Sequence, residues 1–129
     1  MRAMWPDYYP PECPPPDARR DTIDVYRLVS ADPPAPSDFV PVVLEMPHRT
    51  FAPEKFCIAC GLSVFQSLEG ALRVRARYKP LRNKRLARGT IQPQDGLVLE
   101  TGESSHTTWW CQSKAPHANF TKVLNDDWA

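Results

Sequence analysis

Residues 56–88 read FCIACGLSVFQSLEGALRVRARYKPLRNKRLAR, and the fold class turns on this run. CGLSVFQ is a short apolar stretch with the length and composition of a buried strand, placed over residues 61–66. Ser67 stands next, where a helix N-cap belongs. Leu68, Ala71, Leu72, Val74 and Tyr78 then recur at helical spacing, with Arg73 and Arg77 projecting from the other side. Pro80 ends this helix at about Lys79. A strand feeding directly into an amphipathic helix is the unit the other segments pack around.

Working outward, TIDVYRLVS (residues 22–30) alternates well. Ile23, Val25, Arg27 and Val29 share one face, and Asp24, Tyr26 and Leu28 the other. That is the first strand. ADPPAPS is a rigid turn, and in VPVVLEM Pro41 limits pairing to an edge or irregular strand. A turn through Pro47 and Pro53 leads to Cys57 and Cys60. Downstream, residues 86–92, 96–101 and 106–112 read as three more strands. On the last, His106, Thr108 and Trp110 share one face, and Thr107, Trp109 and Cys111 the other. Residues 119–124 form a last short strand or a single helical turn. The sum is an α+β domain over residues 22–129: a mostly antiparallel sheet of four to six strands with one main helix.

The 129 residues suffice for one modest core. Twelve of the 15 prolines precede residue 54, so the first third is poor in regular structure. Residues 1–21 carry six of them along with Trp5, Tyr8 and Tyr9, and a disordered arm rarely holds three large aromatics. An ordered, proline-rich strap laid over the domain is expected. No apolar run has the length of a secretory leader or a membrane span, which places the protein in the cytoplasm with reduced cysteines.

The formal charge is +1, yet residues 73–88 hold eight basic side chains and no acid. Either this is a solvated face, or Arg73, Arg77, Arg82, Lys84 and Arg85 form a site for phosphate, nucleic acid or an acidic partner. Only Tyr78 interleaves with them, which argues against single-stranded RNA read by stacking.

Four other features carry possible chemistry. CIACG resembles one knuckle of a zinc ribbon through Cys57 and Cys60, but no second CxxC exists. Completion requires Cys13, Cys111, His106 or His117 to converge, and the alternative is two small buried cysteines. In SSHTTWW, His106 and Trp110 have the chemistry to bind a planar ligand, one by proton exchange and the other by stacking. The plainer reading puts Trp109 in the core and Trp110 under the strap. Glu100 and Glu103 are available carboxylates or simply solvated acids. Arg27, inside the apolar VYRLV, must find a partner, snorkel, or face a cleft. No Walker A, GxGxxG, GxSxG or HExxH motif is present.

The order of these pieces resembles the ADP-ribosyltransferase-like superfamily, including RES-type toxins and RNA 2′-phosphotransferases. Tyr26-Arg27 stands where an early strand supplies an arginine or histidine, and GLSVF where a serine-bearing strand enters a helix. Glu100, Glu103 or His106 stand where a later acidic or polar residue falls. The resemblance implies NAD bound in a cleft, with Arg27 (beside Tyr26) on its phosphates, Ser63 near the nicotinamide ribose, and a toxin or defence role. Two departures are plain: one serine replaces a Ser-Thr-Ser run, and the glutamates are spaced ExxE. The chain also looks like small bacterial proteins with YRLV, GLSVF and a histidine-tryptophan strand, which implies a bacterial source. The reading is a NAD- or nucleotide-processing protein with Arg27, Ser63, His106 and Glu100 at its centre. The alternative is a non-catalytic protein binding through residues 73–88.

Overall fold

In TIDVYRLVS the alternation does form a strand, β1 (Ile23–Val29), and five more join it: β2 (Leu62–Phe65), β3 (Arg85–Ile91), β4 (Gly96–Glu100), β5 (His106–Cys111) and β6 (Lys122–Val123). The computed structural model describes residues 5–124. It is an α+β fold with one sheet in the order β4-β5-β2-β1-β3-β6, antiparallel at every pairing.

The sheet is strongly curled. In a flat sheet β3 and β4 would stand about 19 Å apart, four spacings of about 4.8 Å. Residues 92–95 alone join them, and they are drawn into a tight turn in which the Asp95 N–H donates to the Gln92 carbonyl at 2.9 Å. Only a curled sheet brings those strand ends together. Its inner face gathers Val25 and Val29 of β1, Leu62 and Val64 of β2, Ala87 and Ile91 of β3, Val98 of β4 and Trp109 of β5. Phe39 and Phe120 close this core from the connecting segments, their rings 5.2 Å apart.

Among the described residues three α-helices form where the sequence suggested one main helix. α3 (Leu68–Arg77) is the expected helix, and its N-cap is Ser67, whose hydroxyl accepts from the Gly70 N–H. It packs Leu68, Ala71, Leu72 and Val74 onto the outer face of the sheet against Phe65 and Leu86. α1 (Val42–Glu45) replaces the expected edge strand. Pro41 removes a ladder donor but suits the entry to a helical turn, so the turn wins. α2 (Pro53–Cys60) replaces the expected turn before β2. Pro53 sits in its first turn, and Phe56, Cys57 and Cys60 fall on one face, packed around Trp110. Arg75, on α3, is buried, donating to the Lys84 carbonyl at 3.1 Å; its stem fills the end of the helix interface.

The N-terminal segment lies over the outer face at the β4–β5 end. Trp5, Tyr8 and Tyr9 pack with Trp110 and Cys60, and Arg19 and Val98 exchange backbone hydrogen bonds along the free edge of β4. Residues 1–4 of the expected strap lie outside the described residues. Cys13 and Cys57 are joined by a disulfide that pins the strap to α2. This corrects the expectation of reduced cysteines. It also removes Cys57 as a zinc thiolate, and Cys60 is left as a buried free thiol. Among the described residues no helix is long and apolar enough to cross a membrane.

Candidate functional site

β1 and β2 pair at Tyr26↔Phe65 and then part. Where they separate, a cleft of about 660 Å³ opens, walled by the segments around α1 and α2 and by the end of α3. Arg27, Ser63 and His106 all line it, although 79 positions separate the first from the last.

Arg27 leans into the gap. Its Nε and one terminal nitrogen donate to the Asp38 carbonyl at 3.0 and 2.7 Å, and the other donates to the Ser63 carbonyl at 2.6 Å. The guanidinium also lies over the Phe39 ring, 5.0 Å from its centre. Burial pulls its pKa down to about 10, with Glu45 and Asp38 acting against that, so it stays charged at neutral pH. An arginine in an apolar strand is thus explained: it takes over the hydrogen bonding where two strands separate. The Asp38 carboxylate faces its own backbone, accepting from the N–H groups of Ser30, Ala31 and Ala35. Burial raises its pKa, but those donors outweigh it and hold it below the usual carboxylate range.

Ser63 is the one exposed residue of β2, between Leu62 and Val64 that face the core. Its hydroxyl is 2.9 Å from His106 Nε2. His106 Nδ1 is 3.1 Å from the Thr101 hydroxyl, which is 2.6 Å from that of Thr108. Ser104 and Ser105, both in the left-handed region at φ 57° and 62°, turn the chain so that His106 opens β5 opposite Phe65. Burial lowers the His106 pKa, which leaves the imidazole neutral at pH 7. With the proton on Nδ1 donated to Thr101, Nε2 is free to accept from Ser63. The result is a serine–histidine pair with its ring held by a threonine, the geometry in which a base withdraws a serine proton.

The other ionisable groups lining the cleft are Arg49, Lys55, Lys84 and Glu45. Together with Arg27 the cations outnumber the acids, and one of those acids, Asp38, is spent on backbone N–H groups. Phe51 and Tyr78 add aromatic surface to the same walls.

Of the remaining candidates, Lys84 lines the cleft and the others do not. Glu100 is not in the cleft; Arg19 binds it at 2.8 and 2.9 Å and Gln66 at 2.7 Å, which holds its pKa down to about 2. It carries no proton at neutral pH. Trp110 is fully buried under the strap, donating to the Cys57 carbonyl at 2.8 Å. Tyr26 packs with α3. Among the described residues no group of three or more His, Cys, Asp or Glu side chains is placed to hold a metal. Of the basic segment, Arg73 donates to Ser104, Arg82 to the Ala76 carbonyl and Lys84 to Ser30, while Arg77 and Arg85 are exposed. Thr101 and Asp38 were missed. Thr101 was within reach of the sequence, since it ends the strand before the turn that His106 follows.

One consequence concerns pH. A histidine whose folded pKa lies below its unfolded value of about 6.5 binds its proton more readily when unfolded. Stability contributed by His106 is therefore intact above pH 6.5 and falls as the pH drops through that value. His106→Gln is expected to flatten the pH 5–7 part of a urea-midpoint profile. An unchanged slope would show that another group sets it.

Comparison with known proteins gave no match, whether to family models, to curated proteins or to solved structures.

Proposed function

We propose that the cleft between β1 and β2 binds a nucleotide-type anion and that the protein processes it, with Ser63 and His106 at the reacting end. The observation that carries this reading is the meeting of Arg27, Ser63 and His106 in one cation-rich cleft of about 660 Å³. That volume lies in the range of small-molecule sites. Arg49, Lys55 and Lys84 supply charge for phosphates, while Arg27 fixes the walls and adds its field. NAD is the first ligand to test, on the strength of the ADP-ribosyltransferase-like order of elements. Glu100 has no part in this version of the reading, because its carboxylate is tied to Arg19.

Isothermal titration with NAD and with ADP-ribose tests it. Binding in the micromolar range is expected, with a loss of about tenfold or more for a Lys55→Ala, Lys84→Ala double variant and weakening by added salt. Heat that is indifferent to both changes, or no binding at all, removes the reading. The alternative, a partner docking on residues 73–88, is less favoured, since Arg73, Arg75 and Arg82 are bonded back onto the protein and Lys84 faces the cleft. As to location, a disulfide persists in oxidising compartments and is rare in the cytosol. The Cys13–Cys57 bond therefore favours an oxidising setting over the cytoplasm suggested by composition.

A further inference from the structure

We propose that Ser63 is a nucleophile towards phosphorus, activated by His106, so that a phosphodiester or phosphoanhydride substrate passes through a covalent adduct with Ser63 Oγ bonded to phosphorus. This rests on the cleft being an anion site, but does not require the ligand to be NAD. Three observations converge. The Ser63 hydroxyl is exposed to the cleft and 2.9 Å from a ring nitrogen that burial keeps neutral. The far ring nitrogen is anchored on Thr101, itself anchored on Thr108; when Thr101 accepts from Nδ1 and donates to Thr108, Nε2 is left to accept from Ser63. The Arg27 guanidinium is bonded to the backbone carbonyl of Ser63 itself, which holds a fixed positive charge on the residue that bears the hydroxyl.

These groups fit phosphorus better than a neutral carbonyl. A phosphoryl centre brings negative oxygens from the start, and catalysis there consists largely of positioning and charge stabilisation by cations. Ser63 Oγ forms a bond to phosphorus while the bond from phosphorus to the leaving oxygen breaks. The Ser63 proton moves to His106 Nε2 and from there to the leaving oxygen. Water then attacks phosphorus, giving its proton to His106, the Oγ–phosphorus bond breaks, and Ser63 takes the proton back. Net, one phosphorus–oxygen ester or anhydride bond is hydrolysed. Ser63 is the nucleophile, His106 the general base and acid, and Thr101 a positioning residue.

The test is covalent labelling of the full chain with a fluorophosphonate, whose fluoride Ser63 displaces. A single adduct, mapped to Ser63 by peptide fragmentation, is expected. Ser63→Ala should abolish it, and His106→Gln should slow it by about a hundredfold. Thermal melts of both variants establish that they are folded; if Ser63→Ala is not, the mapped position on the unsubstituted protein decides. An adduct elsewhere, none at all, or an unchanged rate in His106→Gln overturns the proposal. Stoichiometric release of nitrophenolate from bis-p-nitrophenyl phosphate supports phosphorus as the target. Release from p-nitrophenyl acetate alone overturns that choice. Labelling at Ser63 without NAD binding keeps the nucleophile and removes NAD, while NAD binding with an inert Ser63 does the reverse.

Discussion

Replacing Arg27 by methionine is expected to lower the unfolding free energy by about 3 kcal/mol, near the upper end for a single side chain. Methionine keeps much of the stem volume but none of the donors. The Asp38 and Ser63 carbonyls, which take three hydrogen bonds from the guanidinium, are then left without them. Stripping the part-buried Asp38 carbonyl in this way costs about 1–3 kcal/mol, and the more exposed Ser63 carbonyl adds less because water can reach it. Contact over Phe39 is lost as well. Arg27→Lys is expected to fall between the two, because a single ammonium cannot bridge both carbonyls with the planar fork that arginine presents. Urea titration reads the result as a shift of midpoint at constant slope. A loss under about 1 kcal/mol for methionine would show that the guanidinium is free for ligand and not engaged in holding the strands.

That outcome bears on how the site was legible. The sequence marked Arg27 as out of place, because an arginine inside VYRLV breaks an apolar alternation, and it marked GLSVF as a strand entering a helix. Both marks come from local rules, strand period and N-cap chemistry, and both elements form as read. Ser63 and His106 were each visible in the same way, as a polar residue in a buried strand and a histidine at a strand end. Their meeting was expected from the family resemblance alone and from no local rule, since it depends on β5 pairing with β2 and not with β1, a choice of strand order made by the whole sheet. Glu100 shows the opposite case. A carboxylate near the histidine in sequence points away because Thr107, its partner across the β4–β5 pair, faces the other side of the sheet from His106. Residues 53–60 were misread for a different reason. The CIAC spacing suits a metal knuckle, whereas the helical face made by Phe56, Cys57 and Cys60 matters only once Trp110 and the strap are there to cover it.

Removing the Cys13–Cys57 bond is expected to be the most damaging change in the molecule. The bond closes a loop of 44 residues, and the chain-entropy model assigns about 4 kcal/mol to a loop of that length. Typical domains have only about 5–15 kcal/mol in all. Beyond the bond the strap is held by ring packing, by the Arg19–Glu100 pair and, among the described residues, by one backbone bridge to the sheet at Arg19–Val98. Trp5 stacks on Tyr9, and both pack against the buried Trp110. Cys13→Ser is therefore expected to lower the Tm by on the order of 10 °C. Dithiothreitol should do the same to the unsubstituted protein and nothing further to the variant. The effect reaches the cleft, because α2 carries Cys57 on one side and presents Lys55, Ile58 and Ala59 to the cleft on the other. Loosening the strap frees α2 to move, so ligand affinity should fall together with stability. A melt indifferent to dithiothreitol would mean that the two thiols are not joined, and the protein would then be at home in a reducing compartment. A lower melt with unchanged affinity would mean that the remaining contacts of α2 with Trp110 hold that wall of the cleft by themselves.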